Sequence, residues 1–368
     1  MGNIRSEPCQ GRRRYRVWEP KRGWISFVNV AAASVESEQA PLTQINVGIC
    51  QGAVATMHTN EAAGALSALT GIPNELVTIS VGRAGHALGG TNPVPAMRAA
   101  LQDGRIDVAV HCLDEVPFDH SGTGLFFITP RRGSIKEALC TPTGLDMSNL
   151  PRGSRISADT PLRLATLRSF RPDLDVVGTF GTLSQRLNQL TDPEAELDAA
   201  IVSYADLITI RRTELVTEVL PPDALPPVAG QGAVAIEARD DVLEANPKLA
   251  AAFHRINHRP TWVSIRAERA LMHRLLDNGC TAPTGVWGRV VNNELWLGAC
   301  VMPPRGGLQL RHRSHLTLPS DGDLRKVPLD ELEALAEELG YRVADRLLAQ
   351  GAAELSKRPG AGLGAVAS

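Results

Sequence analysis

Short apolar runs alternate with helix-patterned stretches along most of the chain. Residues 45–49 read as a first strand. Helical spacing follows over 53–69 and stops at Gly71 and Pro73. Residues 76–81 read as a second strand, and the glycine-rich stretch 82–90 leads to a helix over 94–102. Residues 106–110 are apolar around Asp107, as expected for a strand covered on both faces. The alternation continues with strands at 155–157, 175–177 and 199–202 and helices at 162–169 and 182–189. Such alternation predicts an α/β fold with mostly parallel sheets.

Past about residue 239 the pattern changes. A helix is predicted over 261–277, two strands around 286–291 and 295–302 joined by Asn292-Asn293, a third strand over 308–317, and a last helix over 329–348. Leu332, Leu335, Leu339, Val343 and Leu347 lie three or four apart and make one apolar stripe. This is a small α+β domain, with 257–260 as the linker before it. Residues 1–43 lack clear periodicity and read as a leader without regular structure.

A chain of 368 residues with 43% hydrophobic content has room for two or three cores, and 4% aromatic content makes those cores rich in Ala, Val and Leu. A net charge of −2 gives no reason to expect nucleic acid or an anionic membrane as partner. No apolar run is long enough for a bilayer-spanning helix and no secretory signal is visible, so a cytoplasmic setting with free thiols is expected. The six cysteines, at 9, 50, 112, 140, 280 and 300, form no CxxC and no zinc-type spacing with His. No metal site is expected.

Cys280 is the exception in its setting. It lies in Asp277-Asn278-Gly279-Cys280-Thr281-Ala282-Pro283-Thr284-Gly285, just past the end of the 261–277 helix, where Pro283 and Gly285 keep the backbone from resuming a helix. A thiol on a stiff loop of this kind can point out of its domain and carry a covalent group into a cleft. Its alternative is a small buried hydrophobe. Gly279-Cys280-x-x-Pro283-x-Gly285 resembles the cofactor-attachment loop of the porphobilinogen deaminase (hydroxymethylbilane synthase) family. Pro226-Pro227-Val228-Ala229-Gly230-Gln231-Gly232-Ala233 resembles that family's hinge, and Arg266-Ala267-Glu268-Arg269-Ala270 the helix leading to its cysteine. The likeness runs from about residue 45 to 355.

The resemblance implies two periplasmic-binding-protein-like domains with mixed sheets, at 44–132 plus 225–241 and at 133–224, and a third α+β domain at 258–358. It implies a monomer that condenses four porphobilinogen molecules into the linear tetrapyrrole hydroxymethylbilane, releasing ammonia at each coupling, on a dipyrromethane cofactor held by Cys280. Arg163 and Arg186 would bind acetate and propionate groups, for which the planar guanidinium fork is suited. Gly181 would hold the turn before Arg186. Thr160 and His111 would line the cofactor site. In Val110-His111-Cys112-Leu113-Asp114-Glu115-Val116-Pro117, Glu115 falls where the family has its catalytic Asp and Asp114 where it has Lys. These adjacent carboxyls would raise each other's pKa.

The chain departs from the family pattern at other cleft positions. Cys50, Leu162, Phe180 and Thr209 stand where the family has Arg, Gly52 where it has Ser, and Ala87 and Thr91 near two Lys positions. The stretch between Arg83 and Gly89 is short where the family has a mobile lid. Arg83, Arg98, Arg168 and Arg171 are the nearby cations available as substitutes. Two readings follow. In one the chain is a hydroxymethylbilane synthase of porphyrin and heme biosynthesis with Glu115 as its acid. In the other it is a catalytically impaired paralogue that binds or regulates on the same fold.

Overall fold

The structure is a computed structural model. It describes residues 14–19, 23–28, 42–81, 92–118, 123–192, 194, 196–319 and 322–357. Residues 1–41 and 42–368 form two separate compact units. In the first, β1 (Arg14–Glu19) and β2 (Gly23–Val28) pair antiparallel. A strand pair therefore lies inside the leader expected to lack regular structure. Its enrichment in Tyr, Val, Trp, Ile and Phe is a β signal that the arginine run obscured. The rest of that leader lies outside the described residues.

The second unit is built on three sheets. In the first, β3 (Ile45–Ile49), β4 (Asn74–Thr78) and β5 (Val108–Cys112) are parallel, while β12 (Val234–Arg239) runs antiparallel between β5 and β6 (Leu125–Ile128) in the order β4-β3-β5-β12-β6. The second repeats this plan. Here β8 (Arg155–Ala158), β9 (Asp175–Gly178) and β10 (Ala199–Ser203) are parallel, and β7 (Glu137–Cys140) runs antiparallel between β10 and β11 (Val216–Leu220), in the order β9-β8-β10-β7-β11. In each lobe the antiparallel strand is the one that arrives from the other lobe.

Sequence patterning places the helices. The inward parities of β3 and β5, Ile45, Val47, Val108 and Val110, pack under α1 (Ala53–Thr70) and α7 (Pro247–Ile256). Ala109 and Ile106 pack with Met97 and Leu101 of α2 (Val94–Gln102) on the opposite face. The helices α6 (Asp240–Ala245) and α7 and the strands β6, β7 and β11 were not predicted from the pattern; all but α7 are too short to show a period, whereas α7 is clearly amphipathic and was missed. In the second lobe α3 (Pro161–Phe170) and α4 (Leu183–Thr191) start on the side-chain caps Thr160 and Thr182, and α5 (Tyr204–Thr209) on Ser203.

The third module joins β13 (Thr284–Val291), β14 (Glu294–Val301) and β15 (Leu310–Thr317) in one antiparallel sheet. α8 (Arg259–Asp277) and α9 (Leu329–Ala349) cover it, and α10 (Ala352–Lys357) follows. Leu332, Ala336, Leu339, Val343 and Leu347 of α9 are fully buried, with Ala336 rather than Leu335 completing the stripe. Trp262 and Ile265 of α8 pack on the first lobe, and Trp287 and Met302 meet Leu162 and Ala165 of the second.

The lobes are joined by residues 129–136 and 221–233, which bond to each other where Gly133 N–H donates to Gly232 O at 2.8 Å. Gly232 has φ +71, and a Cβ there would collide with the Ser134 carbonyl oxygen, which is backbone and cannot swing away. Gly232→Ala is therefore expected to cost about 2 kcal/mol, through the left-handed backbone and the collision together. Urea unfolding of the variant checks this, and a loss within ~0.5 kcal/mol would mean that the crossing relaxes freely.

Candidate functional site

The parallel strands of both lobes end at one cleft, the usual place for ligands in such sheets. From the first lobe, β5 runs into a 3₁₀ turn, Leu113–Glu115, that presents Asp114 and Glu115. From the second, β8 ends beside Asp159 and the α3 cap, α4 brings Arg186, and the first turn of α5 brings Asp206. Asp114 interacts electrostatically with Asp206, Arg163 and Asp159, and so faces the second lobe. Val54 at the start of α1 packs against the second lobe's core, which brings the two sides together.

The structure brings Asp114 and Glu115 together as the sequence expects, and splits their protonation. Asp114 is exposed in the 3₁₀ turn, with protein packed around it. The surrounding protein and the Asp206 carboxylate push it up to about 6, against the lowering pull of Arg163. Glu115 is half-buried. Burial, then Asp114 and Asp206, push it up to about 8. Of two adjacent carboxyls, one is mostly ionised at neutral pH and the other mostly protonated, an arrangement suited to proton transfer.

Arg163 was expected to meet the ligand directly, and its donors are instead committed inside the protein. It is 5% exposed. Its Nε donates to Glu137 Oε1 at 2.9 Å, Nη1 to Asp159 Oδ1 at 2.5 Å and Nη2 to Gln231 Oε1 at 3.2 Å. The cause is geometric: Arg163 is the third residue of α3, one turn above Asp159, with Glu137 of β7 beneath. Arg186 also turns to Asp159, with Nη1 2.7 Å from Oδ2. Neither its Nε nor its Nη1 has an aligned hydrogen-bond acceptor among the described residues. Gly181 does hold the turn before α4, at φ +97.

Three further expectations are corrected. His111 lies on the face of β5 turned away from the cleft, fully buried, with Nε2 3.3 Å from Glu237 Oε2. Arg98 reaches the same carboxylate at 2.8 Å. Burial alone would raise Glu237, but His111 and Arg98 outweigh it and hold it at about 2. The Thr160 hydroxyl is spent on the α3 cap, accepting from Arg163 N at 3.2 Å. Leu162 points into the apolar seam with the third module, not into the cleft.

Cys280 is a fifth correction. Expected to point out of its module, it is 2% exposed and belongs to that module's core. Its Sγ donates to Ala352 O at 3.4 Å, and Thr281 N–H donates to Ser356 Oγ at 2.8 Å, so α10 lies over the loop. Burial raises the thiol above its usual range, against hydrogen bonds with Ala282 and Ser356. The helix ends as predicted. Backbone bonds from Gly279 N to Leu276 O and from Cys280 N to Leu275 O fold the chain back, and this turns the sulfur inward.

Cys50 is buried in the first lobe's core and Phe180 is exposed at the turn before α4. Arg98, Arg168 and Arg171 are held by Glu237, by the Val176 carbonyl and by Asp173 respectively, and none supplies the cleft with a cation. Arg83, Ala87, Thr91 and the short lid stretch lie outside the described residues. The pattern missed Asp159, Asp206 and Glu137. Asp159 and Asp206 were visible as acids two and four residues past predicted strands, where strand ends meet a cleft.

Residues 91–246 match the porphobilinogen deaminase dipyromethane cofactor binding domain, and residues 262–349 the porphobilinogen deaminase C-terminal domain. The porphobilinogen deaminase of Micrococcus luteus is 33% identical over 84% of this chain and 94% of its own length. That of Leifsonia xyli subsp. xyli is 32% identical over 86% and 95%. Among solved structures, the methionine binding protein MetQ aligns at 18% identity over 57% of this chain and 90% of its own, with a TM-score of 0.37. With two matched domains spanning both lobes and the third module, and relatives aligned over most of both chains, the chain belongs to the porphobilinogen deaminase family.

Proposed function

We propose that this chain is a hydroxymethylbilane synthase, a transferase that joins four porphobilinogen molecules into a linear tetrapyrrole and releases ammonia at each coupling. Family membership supports the reaction class. The observation that carries the assignment of roles is the Asp114–Glu115 pair with its split protonation. Loss of ammonia from the aminomethyl group leaves an azafulvene cation. Asp114, ionised, stabilises that cation and accepts the proton that the coupled pyrrole carbon then sheds. Glu115, still protonated, donates a hydrogen bond without adding a second negative charge. The substrate is a small polyanion, and nothing in the net charge of −2 calls for nucleic acid. Among the described residues no helix is long and apolar enough to cross a membrane. We read the protein as a cytoplasmic monomer.

Dipyrromethane is the cofactor for which the matched domain is named. In the arrangement described, Cys280 does not fit a linked group that reaches the cleft, because its sulfur faces the core under α10. Attachment there requires residues 279–283 to turn outward and leave Ala352 and Ser356. Intact mass after incubation with porphobilinogen tests this. The expected result is an adduct of two linked pyrroles that Cys280→Ala lacks, together with tetrapyrrole formation by the unmodified sequence. Removal of residues 351–368 is expected to speed alkylation of the Cys280 peptide by about tenfold or more, since labelling would no longer wait for local opening. An adduct on another cysteine would overturn the attachment site, and the absence of both adduct and turnover would overturn the enzymatic reading.

A further inference from the structure

Asp159 stands between the two guanidinium groups that a carboxylated ligand would need. Its Oδ1 is 2.5 Å from Arg163 Nη1 and its Oδ2 2.7 Å from Arg186 Nη1. The side chains of Arg163 and Arg186 are 5% and 9% exposed, while that of Asp159 is 23% exposed. The carboxylate is thus the member of the trio that faces the opening. Arg163 spends its other donors on Glu137 and Gln231. Arg186 does not: beyond the Nη1 contact with Asp159, its Nε is buried without an acceptor among the described residues. Buried N–H donors left in this state are rare and costly, and they mark a place short of an acceptor.

We infer that Asp159 is a resident carboxylate in an anion site, that it competes with an incoming carboxylate or phosphate for Arg186, and that it thereby sets ligand affinity in this cleft. Tethering favours the resident group, which loses no translational freedom on pairing. An external anion must displace it, and the displaced carboxylate would then stand unpaired near Asp114 and Asp206, with which it already interacts. Asn at this position keeps the shape and one acceptor oxygen but removes the competing charge. The two arginines are then left one negative charge short. The inference rests on the proposed function only for the natural ligand, the acetate and propionate groups of a pyrrole. The site itself would take any small oxyanion.

Inorganic phosphate is the probe, with the full chain, calorimetry and thermal shift. Asp159→Asn is expected to bind phosphate at least about tenfold more tightly than the unmodified sequence, a gain of about 1.4 kcal/mol. Addition of Arg186→Gln to the variant should abolish that gain. Equal phosphate response with and without Asp159, or a gain that survives loss of Arg186, overturns the inference. If Asp159→Asn does not accumulate folded, purification in phosphate decides: recovery of folded protein supports the site, and failure to recover it counts against. Porphobilinogen separates the two readings. A lower KM in Asp159→Asn supports both, whereas a phosphate gain without any binding of porphobilinogen keeps the anion site and removes the proposed substrate.

Discussion

Replacement of Glu268 by Ala is expected to cost about 3–5 kcal/mol, the loss typical of breaking a buried ion pair from one side. Glu268, on α8, is fully buried. It accepts from Arg132 Nη1 at 2.5 Å and Nη2 at 3.2 Å, from Gly230 N–H at 2.8 Å and from Gly288 N–H at 2.6 Å. Arg132 belongs to one crossing between the lobes, Gly230 to the other and Gly288 to the third module's sheet. One carboxylate therefore ties both hinge strands to the module that carries Cys280. Ala would leave a guanidinium with 8% side-chain exposure without its carboxylate and two buried amides without an acceptor. Glu268→Gln, which keeps acceptor oxygen but not charge, should lose less. Chemical unfolding measures both, and amide exchange at Gly230 and Gly288 should rise in Glu268→Ala. A loss below about 1 kcal/mol would show that the crossings hold their geometry without this carboxylate.

The same residues show how far the sequence could be read. Strong periodicity and clear punctuation made the parallel strands and the long helices legible: 45–49, 94–102, 199–202 and 261–277 fall on observed elements. The short strands β6, β7 and β11 were not legible, because runs of four or five residues, in β7 and β11 interrupted by Glu or Thr, are too short to show a period. The position of Asp114 and Glu115 just past β5 was legible because a strand end places them. The fate of Arg163 was not. Its commitment to Glu137 and Gln231 depends on residues 26 and 68 positions away in the chain, which meet only because β7 and the hinge pass beneath α3. The direction of Cys280 was illegible for a like reason. The helix stop is local, but α10 lies 72 residues further on and takes the sulfur from the other side. His111 sits in a motif that looks like cleft lining, yet strand parity turns it to the opposite face, where Glu237 of β12 waits.

Glu115→Gln is expected to stabilise the chain, and by an amount that grows with pH. Folded, Glu115 keeps its proton up to about 8, because burial and the charges of Asp114 and Asp206 oppose ionisation. Unfolded, it ionises near its ordinary value of 4.5. Between those two values the folded chain binds more protons, so stability falls as pH rises, and the fall is complete once the folded group has ionised. Gln has no proton to lose and escapes the penalty. Below about pH 4.5 the two chains should be equally stable on this account, since both states are then protonated. By pH 8 the full shift would correspond to about 4–5 kcal/mol, and solvent access to a half-buried side chain reduces this to about 2–3 kcal/mol. Urea unfolding of both chains at pH 5 and pH 8 reads the difference directly. Cys50, which feels the same carboxyl, is a second reporter: its thiol should titrate lower in Glu115→Gln once the neighbouring charge is gone. A stability gap that is the same at both pH values would mean that Glu115 is ionised throughout. Asp114 and Glu115 would then carry two negative charges at the cleft floor, and the protonated partner assigned to Glu115 would have to be sought elsewhere in the cleft.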